Sequence, residues 1–412
     1  MAEPRVRFRQ IDGNGYPAWK EVMLGDIATR ITRKNSQNET DRPLTIASIE
    51  GLVDQRTYFG KAVASKDMSG YFLLKKGEYA YNKSYSAGYD YGSIKRLDKY
   101  DKGALSTLYI CFALNDGENS DFYNCYFNGL SWYNQMPEIC AEGARNHGLL
   151  NVSVNEFFKI KLMIPSSFEE QQKIADFFGS VDDVISSCEA EIENLEMQKK
   201  SAMQQIFSQA VRFKKQDGSE FSDWVLRPLN YYLSENKERN KSRQYTKEDV
   251  MSVSKDFGVI NQIAYLGKSL AGEDLSNYHC VYKGNVVYTK SPLGKQPYGI
   301  IKASKVDGIV STLYAVYSCN KLALPEFIDL YFSRDAELNN YLKPLVNIGA
   351  KHDMKVNNDV AISGMVTFPT DIEEQRLIVD LFADFDDAIA AAKRELELWK
   401  DLKKGLLQQM FV

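Results

Sequence analysis

The chain has 412 residues, 44% of them apolar and 26% charged, which is the composition of packed globular structure and enough length for two or three domains. A net charge of −4 gives no chain-wide field for a polyanion, so any nucleic-acid contact must be local or shared with a partner. No stretch approaches the ~18 uninterrupted apolar residues of a membrane span, and the opening MAEPRVRFRQ lacks the apolar core of a signal peptide, so a cytoplasmic protein is expected. Six cysteines without a CxxC pair and only three histidines suggest neither a disulfide framework nor a metal site.

In chain order, PLTIASI, GEYAYNK and STLYICFAL read as strands bounded by Gly, Asp and Ser turns, and SDFYNCYFNGLSWYNQM reads as one helix opened by Ser120. A long amphipathic stretch follows from Phe178. Its apolar positions are Phe178, Val181, Ile185, Cys188, Ile192 and Leu195, then Ala202 and Ile206, with Lys199 in the one missing place. The second half repeats the order. VMSVS, GNVVYTK and STLYAVYSC are strands, and PEFIDLYFSRDAELNNYL is one helix with Pro325 near its start. Phe382, Phe385, Ile389, Ala392, Leu396, Trp399, Leu406 and Met410 then form a second seam, with Lys403 in the gap.

The likeness extends to identity. Pro165 to Phe207 aligns with Pro369 to Phe411 without a gap at an offset of 204, and 17 of the 43 positions are identical, among them the EEQ runs at Glu169 and Glu373. Arg7, Phe8 and Trp19 match Arg212, Phe213 and Trp224. Lys76, Gly77, Tyr81, Lys83, Ser84, Tyr91 and Gly92 match Lys283, Gly284, Tyr288, Lys290, Ser291, Tyr298 and Gly299. The chain is thus two copies of one plan whose middles have diverged more than their ends.

An apolar period of 3.5 over about four heptads predicts two helices pairing along a narrow seam, each ~50 to 58 Å long at ~1.5 Å per residue. The pairing residues are Phe178, Val181, Ile185, Ile192, Leu195, Phe382, Phe385, Ile389, Leu396 and Trp399. A lysine at the same seam gap suits either register setting or snorkelling at a helix end. If a two-fold axis relates the units, the helices run antiparallel and Met1 lies near Val412. The paired aspartates Asp182-Asp183 and Asp386-Asp387 point about 100° apart on a helix, so they read as solvated surface and not as an acid/base couple.

The expected organisation is α+β, with recognition domains at 1–163 and 209–367 and helical spacers at 164–208 and 368–412. Loops combining basic, amide and aromatic side chains are the candidate DNA contacts. They comprise Arg30, Arg33, Lys34 and Asn35; Lys83, Ser84, Tyr85 and Tyr89; and Arg145, Asn146 and His147 in the first unit. The second unit has Arg239, Asn240, Lys241 and Arg243; Lys290, Ser291, Lys295 and Gln296; and Lys351 and His352. Cationic groups suit phosphates and guanine edges, amides suit adenine edges, and tyrosine offers a stacking face. No GxGxxG after a strand, P-loop, HExxH or amino-methyltransferase tetrapeptide is present, so no catalytic or cofactor-binding residue is assigned.

The doubled plan, with EEQ..I...F...DD.I helices ending in KK...QQ.F, resembles the specificity subunit of type I restriction–modification systems over essentially the whole chain. The resemblance implies two target recognition domains, each reading half of an asymmetric bipartite site in double-stranded DNA. It also implies paired helices that fix the gap and dock two modification (methyltransferase) subunits, with restriction subunits beyond. S-adenosylmethionine and ATP/Mg would then belong to those partners, with no membrane and no cofactor in this non-catalytic chain. Two other readings fit the residues: an orphan or phage-borne subunit that directs methylation only, and a coiled-coil adaptor that binds no DNA.

Overall fold

The computed structural model describes residues 3–48, 50–61, 63–86, 88–140, 150–293, 296–348 and 354–411. The chain divides into two compact units, one made of residues 1–191 with 392–412, the other of residues 192–391. Each unit therefore takes its head from one half of the sequence and borrows a helix segment from the other half.

In the first unit a four-stranded antiparallel sheet runs in the order Ala28–Arg30, Ile110–Leu114, Tyr79–Asn82, Ser93–Arg96. A hairpin of Leu44–Ala47 with Gly51–Asp54 leads into the short helix Gln55–Phe59, and Phe72–Lys75 pairs with Lys102–Leu105. Lys20–Met23 pairs with Lys161–Ile164 immediately before the long helix Phe168–Phe207. The second unit repeats every one of these pairings. Its sheet order is Leu233–Glu235, Tyr314–Cys319, Asn285–Thr289, Ile301–Ala303, with Met251–Ser254 on Gly258–Asn261, His279–Val281 on Gly308–Val310, and Val225–Pro228 on Met365–Phe368. The divergent middles share one topology. All six segments read as strands from their β-branched and aromatic content are strands.

The two segments expected to be single helices each break in two. Ser120–Asn128 ends at Gly129 and gives way to a 3₁₀ turn, Ser131–Gln135, and the short helix Met136–Ile139. Pro325–Phe332 is followed by a separate helix, Asp335–Leu342. The first helix of each pair presents an aromatic face to its sheet: Phe122, Tyr123, Tyr126 and Phe127 in one unit, Phe327, Ile328, Tyr331 and Phe332 in the other, all buried. Turning the chain lets a second apolar face return to the same core.

The EEQ signature is explained by the way each long helix is anchored. Glu170 is fully buried and accepts two hydrogen bonds from one guanidinium, Arg7 Nε at 2.7 Å and Nη2 at 2.9 Å, with Trp19 Nε1 at 3.3 Å. Arg212 grips Glu374 in the same fork, at 3.0 and 2.9 Å. Gln171 and Gln375 each donate to the carbonyl of the proline six residues earlier, Pro165 or Pro369, at 3.0 Å. A buried bidentate pair fixes both partners' identities, which is why these positions match so well between the halves.

Within each unit the two helix segments run antiparallel. In the first, Lys403 bonds Asp182 and Lys400 lies 3.1 Å from Glu189; in the second, Lys199 bonds Asp386. The seam-gap lysines therefore pair across the helices. One aspartate of each doublet, expected only to solvate its face, is their partner. Val181, Ile192, Ile389 and Leu396 are buried along the seam, while Ile185, Leu195, Phe385 and Trp399 are half-buried. Phe178 and Phe382 do more than pair helices, because each belongs to the core of a head. Phe411 stacks on Phe178 and meets Trp19, Phe122 and Tyr126 edge-on or tilted, as Phe207 meets Trp224, Phe327 and Tyr331. Met1 and Val412 lie outside the described residues, but the backbone N–H groups of Arg5 and Val6 both donate to Gln409 O.

Candidate nucleic-acid interface

Each four-stranded sheet carries a loop built the same way. In the first unit it joins Tyr79–Asn82 to Ser93–Arg96. Ser86 and Tyr89 exchange backbone hydrogen bonds at its narrowing, Gly92 N–H donates to Tyr89 O, and Tyr81 Oη donates to Tyr91 O at 2.7 Å. In the second unit Leu293 and Gln296 make the same exchange, Gly299 N–H donates to Gln296 O, and Tyr288 Oη donates to Tyr298 O at 2.8 Å. Gly92 and Gly299 have φ of 80° and 87°, and a Cβ there would lie 1.9 Å from Asn82 O or 2.0 Å from Thr289 O. Only glycine fits. The repeated Tyr, Tyr and Gly thus close two loops of different sequence with the same hydrogen bonds.

The contents of the loops differ. Tyr85 is exposed and Tyr89 half-buried in the first, where Leu293 and the buried Gln296 stand at positions 86 and 89 of the plan in the second. Lys83 and Lys290 occupy equivalent places, and burial lowers the pKa of both. Lys290 Nζ donates to Asn358 Oδ1 at 3.1 Å, and Asn358 in turn donates to Glu235 at 2.6 Å. Ser84 and Ser291 follow the lysines and are half-buried.

A cationic group gathers beside the second loop. His279 is buried, and its pKa is pushed down to about 4, first by burial and then by the charges of Arg239 and Lys290. Arg239 also contributes to lowering the Lys290 pKa. The Glu235 carboxylate opposes both shifts, so the cluster is a partly balanced set of charges. In the first unit Phe72 replaces the histidine, and Lys34 lies 3.9 Å above its ring while donating to Gly70 O at 3.0 Å.

Other candidates are placed differently. Arg30 is exposed on an edge strand, and Arg33 is committed to Glu78 at 2.7 Å and to Leu73 O. Lys241 donates to Asn277 at 2.6 Å. Asn35 and Asn240 require correction: both are completely buried, and each amide closes a six-residue loop by bonding the N–H and C=O of Thr40 or Tyr245. They shape loops and have no free edge for a base. At the tip of the second of these loops Arg243 is exposed and holds φ of 55°, where the first has Asn38 at 52°. Arg145, Asn146, His147, Lys295, Lys351 and His352 lie outside the described residues. The residues that sequence reasoning passed over are the loop supports and Lys95, which matches Lys302 through the repeated Ile-Lys at 94–95 and 301–302.

Comparisons with known proteins bear on this arrangement. Residues 18–197 match the model of the type I restriction modification DNA specificity domain. The type I restriction enzyme MjaVIII specificity subunit of Methanocaldococcus jannaschii is 22% identical over 97% of this chain and 94% of its own. Among solved structures, the type I restriction-modification S subunit from M. genitalium superposes with a TM-score of 0.53 at 12% identity, covering 100% of this chain and 99% of that one. A chain from a study of complex assembly and conformational transition of the type I R-M system gives 0.54 at 14% identity, covering 96% and 98%. These likenesses establish the doubled head-and-helix fold. Residues 18–197 thus resemble a type I specificity domain, and the whole chain is similar in length and fold to type I specificity subunits. Among the described residues no helix is long and apolar enough to cross a membrane, and no group of His, Cys, Asp and Glu could hold a metal ion.

Proposed function

We propose that each unit reads one half of an asymmetric bipartite target in double-stranded DNA, using the loop between its Tyr lock and its glycine as a principal reading element. The supporting observation is the pair of loops at 82–92 and 289–299, identical in support and different in sequence. A shared scaffold offers the same approach to a groove, and unlike contents select unlike bases. Lys83, Lys290, Arg239 and Arg243 are assigned to phosphates. Tyr85 is assigned a stacking or edge contact. The chain itself performs no chemistry. Adenine-N6 methylation with S-adenosylmethionine, and ATP/Mg-dependent cleavage, belong to two modification subunits and to restriction subunits that dock on the paired helices.

The paired helices are assigned the role of ruler, since half-sites on one face of B-DNA recur at about one turn, ~34 to 36 Å. The test is methylation mapping in cells carrying the whole system. Exchanging residues 1–163 for those of another family member should alter one half-site and leave the other intact. A change in both would refute independent reading. Inserting four residues, about one turn, into both helices should alter the gap; an unchanged gap would remove the helices as its determinant.

A further inference from the structure

Because the two heads share one plan, a group missing from one of them is revealed by the other. In the second unit the edge-strand lysine Lys302 is answered by the helix residue Asp329. The carboxylate accepts from Lys302 Nζ at 3.0 Å through one oxygen and from the Ala303 N–H at 3.0 Å through the other. In the first unit the matching lysine is Lys95, paired across the sheet with Ala80 as Lys302 is with Val287. The helix registers correspond as well, with Phe122, Tyr126 and Phe127 on Phe327, Tyr331 and Phe332. That register puts Asn124 where Asp329 stands. The carboxylate is gone.

Lys95 is only 7% exposed, and among the described residues its hydrogen bond goes to the neutral Asn128 Oδ1 at 2.7 Å, with the Tyr89 ring 5.3 Å away. An ammonium has three N–H donors, and a buried cation without a counter-charge is costly. Burial, and then the charge of Lys403, push its pKa down to about 8. Beside it lies a cavity of about 130 Å³ whose lining includes Lys95, Arg96, Lys99, Asn124 and Asn128. The two acidic residues at the cavity leave Lys95 unanswered, because Asp98 accepts from Arg96 at 2.7 Å and Glu50 is exposed.

We infer that the cavity at Lys95 and Asn124 is a carboxylate-binding site, receiving from outside the chain the group that Asp329 supplies internally in the second unit. The carboxylate comes either from a small free anion or from an acidic side chain of a bound partner subunit. Bound there, it bridges the Lys95 ammonium and the outward backbone of the edge strand. The two heads then differ in a second respect besides the bases they read: one is self-neutralised and the other completes its charge on binding.

The site is tested on the purified full-length chain at constant ionic strength, with acetate as the probe replacing chloride, by thermal unfolding near pH 7. Asn124→Asp refills the site from within and Lys95→Met removes the cation. If the source is a free anion, acetate raises the wild-type melting temperature by at least about 2 °C. Neither variant then responds. If the source is a partner, acetate has no selective effect, but both variants weaken capture of the modification subunit several-fold relative to wild type; this arm rests on the proposed function. Absence of both effects overturns the proposal, and so does an acetate response that survives in Asn124→Asp.

Discussion

Replacing Arg7 by methionine isolates the interaction that the repeated EEQ signature serves. The guanidinium donates twice to Glu170, whose side chain is 0% exposed, and also bonds Pro17 O. Methionine keeps the aliphatic packing and leaves Glu170 buried with one long hydrogen bond from Trp19. Breaking one side of a buried pair costs about 3–5 kcal/mol, far above the ~0–1 kcal/mol of an exposed pair. For a unit of this size that lowers its melting temperature by about 6–20 °C. Calorimetry of the full chain should show the loss in a transition assigned to the first unit, with Arg212→Met affecting the second through Glu374. The double variant Arg7→Met, Glu170→Met should recover most of the stability, because the uncompensated charge goes too. A loss below about 1 kcal/mol, or a double variant no better than the single, would refute the claim that this pair anchors the helix.

Gly299→Ala forces a Cβ to within 2.0 Å of Thr289 O at φ of 87°, so the loop must shift; selectivity at the second half-site should fall in methylation mapping while circular dichroism stays native. Lowering the pH from about 6.5 to about 4 should cost stability through His279, because its folded pKa is depressed and the unfolded chain binds the proton first. His279→Phe, which installs the residue found at Phe72, should flatten that part of a stability–pH profile; an unaltered slope would clear the histidine. Lys403→Asp should cost up to about 1 kcal/mol by denaturant titration, and adding Asp182→Lys should restore it. Lack of coupling in that cycle would mean the ion pair does not set the register.

Much of this protein was determined by its sequence because duplication made the physics legible. A 3.5-residue seam period, prolines just ahead of the helices and identical glutamates at a fixed offset each reflect local or one-dimensional constraints. Strands could be read from their β-branched and aromatic content for the same reason. Tertiary structure alone decided which polar residues are spent internally. Asn35 and Asn240 look like base readers in a loop sequence and are fully enclosed. Arg33 looks free and is held by Glu78, 45 residues away. Asp182 and Lys403 find each other across 221 positions, and Lys95 reveals its missing counter-charge only once Asn124 is seen beside it. Periodicity records which face of an element is buried, whereas hydrogen bonding and charge balance depend on neighbours that only the folded chain brings within 3 Å.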